Sequence, residues 1–102
     1  MTSQIMHDLE QSFLARGIKR GGVLMFDAPN TVAFIEAARQ QQVPILGIDS
    51  FIVTETITQP VMEHTLDLSV GALPIDTWTA AQRFVRERHN LGLMFEVVLG
   101  DS

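Results

Sequence analysis

The sequence predicts an α+β domain, a single two-layer unit with a ferredoxin-like split βαββαβ order and an extra N-terminal helix. Three observations lead to this fold class. Apolar residues recur at helical spacing in three segments and form short strand-like runs between them. Without the leading helix, the segments run strand, helix, strand, strand, helix, strand, the order in which two helices cover one face of a four-stranded sheet. The chain has 102 residues, 46% apolar and 19% charged, which suits one domain with one core. A mixed sheet with the same elements in another strand order is the alternative.

The first helix is predicted over residues 3–16, where Ile5, Leu9 and Phe13 stand four apart with Met6 beside them. Gly17 stops it, and Lys19 to Gly22 read as a solvated turn. GVLMF, residues 22–26, is a short apolar run between glycine and Asp27, as expected of a strand buried on both faces. Pro29 suits the first turn of a helix, with Asp27 or Asn30 as cap. Val32, Phe34, Ile35 and Ala38 supply its inner face, and Glu36 and Arg39 an outer ion pair.

Val43-Pro44 closes that helix, because the residue before proline is pushed out of the helical region. Residues 45–54 follow as a long strand with Gly47 marking a bulge or a close backbone approach. After Pro60, residues 61–69 alternate: Met62, His64, Leu66 and Leu68 on one face, Glu63, Thr65 and Asp67 on the other. Residues 71–74 form a connection. Asp76 caps a helix whose inner stripe is Trp78, Ala81, Phe84 and Val85, with arginines outside, and residues 93–99 make the last strand.

Composition narrows the function. No apolar run approaches the roughly 20 residues that span a bilayer, and the first thirty residues are broken by charges where a signal peptide would be apolar. The chain has no cysteine, so disulfides and thiolate chemistry are excluded and a cytoplasmic location is the default. A pI near 4.9 argues against nucleic acid as a partner. No phosphate-binding glycine loop occurs, and Asp27 lacks the second acid or lysine that a phosphoryl-transfer nucleophile needs nearby. Glu63 and His64 point to opposite faces of a strand and cannot share a metal ion there. The expectation is a protein with neither enzymatic activity nor a cofactor.

The charge distribution is the most informative feature. Between Gln40 and Gln82 there is no Lys or Arg, while Asp49, Glu55, Glu63, Asp67 and Asp76 fall in that interval. The flanks balance, so the formal charge of -5 belongs to the middle of the chain. A localised acidic surface suits recognition of a basic partner.

The blocks PILGID (44–49), QPVMEHTLD (59–67) and the Trp78 helix running into FEVV (95–98) resemble a family of small bacterial immunity proteins from polymorphic toxin systems. The resemblance covers about residues 30–98. It implies a binding protein that neutralises a cognate toxin domain, with Asp49, Phe51, Glu55, Gln59, Glu63, His64 and Asp67 as the partner-binding residues and Phe51 as aromatic anchor if it faces outward. Fold analogy supplies the alternative, a small-molecule-sensing regulatory domain that also forms a homodimer.

Overall fold

Two strands, each apolar where it meets the helices, hold the centre of the sheet and fix the position of everything else. The computed structural model describes residues 2–69 and 76–100. Its helices are α1 (Thr2–Phe13), α2 (Ala28–Gln40) and α3 (Thr77–Arg86). Its strands are β1 (Ile18–Arg20), β2 (Val23–Met25), β3 (Ile45–Val53), β4 (Thr58–Pro60), β5 (Leu66–Asp67) and β6 (Met94–Leu99). The fold is α+β, with antiparallel strand pairing throughout.

β3 pairs with β6 along one side and with β4 and β5, end to end, along the other. β2 joins the outer side of β6 through Phe26 and Phe95, which exchange backbone hydrogen bonds of 2.9 and 2.8 Å. The order across the sheet is therefore β2, β6, β3, then β4 and β5. β2 and β3 run parallel with β6 between them, and β5 and β6 run parallel with β3 between them. Each βαβ unit is split by a strand of the other, but the order is not the ferredoxin-like one. That order would insert the third strand of the series between the first two; here the last strand takes that place.

The exchange has a physical cause in residues 58–69. Pro60 has no N–H for a ladder, and Met62–His64 turn as a 3-10 helix, so β4 keeps three residues and β5 two. Such a broken segment belongs at an edge. MFEVVL of β6 runs uninterrupted and can be paired on both sides. The same turn shortens the expected strand over 61–69 to Leu66–Asp67; His64, Leu66 and Leu68 keep the half-buried side and Glu63, Thr65 and Asp67 the exposed one, but Met62, expected inside, is 78% exposed. Residues 19–22 are likewise more than a turn. β1 pairs with β2, and only Gly21 and Gly22 turn, both at positive φ (56° and 80°), as a two-residue hairpin connection requires.

The helical caps follow the sequence. Asp27 Oδ1 accepts from the Asn30 amide at 3.0 Å, and Asp76 Oδ1 accepts from the Thr79 amide at 2.9 Å. The Glu36–Arg39 ion pair forms on α2. At the start of α3, Thr77 Oγ1 accepts from the Ile45 amide (3.1 Å) and Trp78 Nε1 donates to the Val43 carbonyl (2.8 Å), pinning α3 to the start of β3. The core lies between these helices and the buried face of the sheet, Ile48, Phe95, Val97 and Leu99. α1 closes one end of it with Leu9 and Phe13, whose ring meets Phe34 edge-on at 5.2 Å. The connection expected over 71–74 lies outside the described residues.

Candidate functional site: a groove on the uncovered sheet face

Alternation along β3 and β6 sends one set of side chains into the core and the other away from the helices. The outward set is Gly47, Asp49, Phe51 and Val53 on β3, and Met94, Glu96 and Val98 on β6. Gly47 pairs with Val98, Asp49 with Glu96 and Phe51 with Met94. Thr58, opposite Val53, projects on this same face. Arg20 Nη1 donates to Thr58 Oγ1 at 3.2 Å and to the Ile57 carbonyl at 3.4 Å. The β1–β2 hairpin, attached at the β6 side, thus reaches over the face to the β4 side. Phe51 and Met94, paired toward that end of the face, are half-buried, and Val98 at the other end is exposed.

At that open end lies a groove of about 270 Å³, lined by residues that include Leu46, Gly47, Asp49, Thr65, Asp67 and Val98. Leu46 is the extra residue of a bulge: the register shifts between Ile45 and Gly47, as the glycine suggested. Gly47 lets β5 approach, since a Cβ at this position would stand 2.5 Å from the Leu66 carbonyl oxygen. No lining residue is cationic.

The carboxylates of this region differ in their surroundings. Asp67 Oδ1 accepts from the Ser69 hydroxyl (2.5 Å) and the Ser69 amide (2.9 Å), and these bonds hold its carboxyl below the usual range. Glu96 is pushed up, first by burial, then by the charge of Asp49 across the strand pair, then by that of Glu10 on α1. Like charges directly opposed on an antiparallel pair destabilise it. The Asp49 and Glu96 pair is therefore a local electrostatic cost in the isolated chain.

The structure sorts the expected site residues into separate places. Asp49 and Asp67 meet in the groove. Phe51 shares that face and is half-buried. Glu55 sits in the turn between β3 and β4, Gln59 on β4 opposite Ile52, and Glu63 on the 3-10 turn, all exposed along the margin of the sheet. His64 leaves the acidic face altogether, because its Nδ1 accepts from Arg88 Nε at 3.1 Å. Of the middle-segment acids, Asp49 and Asp67 line the groove, Glu55 and Glu63 lie along the margin, and Asp76 caps α3.

Glu96 and Val98 were not among the expected site residues. Their outward alternation is visible in FEVV, but their place beside Asp49 and Gly47 depends on the β3–β6 pairing. Ile52, Ile57 and Met62, all exposed along the β4 margin, were likewise missed.

Among the described residues no three His, Asp or Glu side chains converge on a metal-sized site. No described helix is long and apolar enough to cross a membrane. Comparison with protein-family models, with curated proteins and with solved structures finds no match.

Proposed function

We propose that this protein binds and neutralises a cognate bacterial toxin domain, acting in the cytoplasm without enzymatic activity of its own. The observation that carries this reading is the groove in which Asp49 and Asp67, from two different strands, face solvent with no cation in its lining. A toxin that acts on nucleic acid has a basic cleft, and an acidic, rigidly presented sheet face is the complementary surface. Complementary potentials raise the association rate and reject partners of the wrong sign. The resemblance of the PILGID, QPVMEHTLD and FEVV blocks to those of small immunity proteins supports the same reading.

The charge pattern weighs against the alternative, a sensing domain dimerised through its open sheet. A two-fold contact across this face would bring Asp49 and Glu96 of one copy against the same residues of the other.

The test is a pull-down of the tagged protein with the C-terminal domain of the large protein encoded beside it, at low and at high salt. A complex that weakens with salt and with Asp67→Lys supports the reading, because exposed charge pairs are screened within about 8 Å at physiological ionic strength. Absence of a complex at both salts overturns it.

A further inference from the structure

We propose that the open end of the sheet face is a receptor for one arginine or lysine side chain of the partner. The methylene stem would lie along Leu46, Gly47 and Val98, and the cationic head would meet Asp49 and Asp67. This rests on the reading above and names what the partner must present.

The groove lining combines apolar surface, from Leu46, Val98 and the bare backbone of Gly47, with carboxylates, and Val98 is 37% exposed in the isolated chain. The carboxylates are those of Asp49 and Asp67. An occupant must therefore be apolar along its length and cationic at its end, which describes the long basic side chains, whose stems cover apolar surface while their heads remain polar. Both Ser69 hydrogen bonds fall on Asp67 Oδ1, so Oδ2 remains to accept from the incoming head. Asp67 also stays ionised well into the acid range, for the reason given above.

Other occupants fit worse. A metal ion lacks a third ligand among the described residues. A carboxylate or phosphate ligand meets only negative charge. A second copy of this face carries the same sign.

A cation in the groove also removes a cost that the free protein carries. Glu96 faces Asp49 from β3 and lies within the field of Glu10 on α1, and Lys19 of β1 lines a separate cavity with Glu10 and Glu96. Positive charge beside Asp49 offsets its repulsion of Glu96, so the Glu96 carboxyl should titrate lower when the groove is filled.

The experiment uses N-acetyl-arginine methylamide as the probe and the neutral, isosteric N-acetyl-citrulline methylamide as its control. Binding is read from backbone amide shifts of the isotope-labelled full chain. The expected result is a saturable shift confined to residues 46–49, 65–69 and 98 with the arginine compound only. Binding should weaken about two- to fivefold on Asp49→Asn or Asp67→Asn, and hold on Glu55→Gln, since an exposed ion pair is worth up to about 1 kcal/mol. The Glu96 side-chain carboxyl carbon, followed in the same sample, should titrate at lower pH with the probe present.

Shifts that are absent, spread over the surface, equal with citrulline, or equally weakened by Glu55→Gln overturn the proposal. The two readings fail separately. A groove that takes arginine in a protein that captures no toxin domain removes the neutralising function and keeps the site. A toxin complex indifferent to both Asn variants does the reverse.

Discussion

Arg88 Nε donates to His64 Nδ1 at 3.1 Å, and that bond attaches the 3-10 turn at Met62–His64 to the end of α3. The guanidinium is held from two further sides: Nη1 donates to the Phe84 carbonyl at 3.0 Å, and its carbon lies 3.8 Å from the centre of the Phe84 ring. Arg88 is thus an anchored donor, and its bond fixes the half-buried His64. His64→Ala is expected to cost about 0.5–1.5 kcal/mol, the net worth of one such bond. Arg88→Ala should cost more, about 1–3 kcal/mol, because the ring contact is lost as well. A urea double-mutant cycle checks the coupling, and simple additivity of the two changes would show that the bond contributes nothing to the fold.

Ser50 is 1% exposed and its Oγ has no hydrogen-bond partner among the described residues, although it stands in the middle of β3 on the face packed against the helices. An unpaired buried hydroxyl costs about 1–3 kcal/mol relative to a satisfied one. Ser50→Ala removes the group and leaves only a small void, so the denaturant midpoint should rise at an unchanged slope, by a stability of about 1 kcal/mol. A lower midpoint would mean that the hydroxyl finds a partner in solution.

Much of this architecture could be read in the sequence, and the part that could not has a common origin. Asp27 and Asp76 cap helices where a carboxylate stands before a proline or an apolar stripe, because a cap is a matter of three or four residues. Gly47 announced a bulge for the same local reason. The alternation of His64, Leu66 and Leu68 with Glu63, Thr65 and Asp67 was equally local and holds in their burial, whereas Met62 stands exposed on the 3-10 turn that Arg88, twenty-four residues further on, bonds through His64. Strand order likewise follows from which segments can be paired on both sides, and no single segment records that competition. The site inherits this division. Asp49 and Asp67 were visible as acids in a base-free interval, whereas Glu96 joined them only through the partnership of β3 with β6.

The acids of this face should respond to pH with opposite signs. Glu96 has its folded pKa raised above the ordinary value of 4.5, so the native state holds that proton more tightly than the unfolded chain. Its contribution to stability is fully present below the ordinary value and is lost as pH rises through the folded one. Glu96→Gln should therefore raise the denaturant midpoint at pH 7, with the gain shrinking as the wild type is taken to acid. Asp67, with its folded pKa lowered from 3.8, contributes above that value and loses its contribution as pH falls through the folded one. Asp67→Asn should lower the midpoint at pH 7 and converge on the wild type in strong acid. Urea unfolding of both variants from pH 7 downward checks the signs, and parallel curves would refute the assignment.

Gly47 is where the fold and the groove depend on the same missing atom. A Cβ there would stand 2.5 Å from the Leu66 carbonyl oxygen, a backbone atom that cannot swing aside as a side chain would. Gly47→Ala must therefore push β5 away from β3, and overpacking of this kind costs about 1–3 kcal/mol. The damage should be local, because β3 retains its long pairing with β6 and its contact with β4. Loss of amide protection is expected at Leu68, whose N–H donates to the Leu46 carbonyl at 2.7 Å, while Phe26 and Phe95 stay protected. Displacing β5 also moves Asp67 away from Asp49, so Gly47→Ala should weaken binding of a basic partner without changing any charge. A variant that binds as the wild type does, yet has lost protection at Leu68, would separate the acidic pair from recognition.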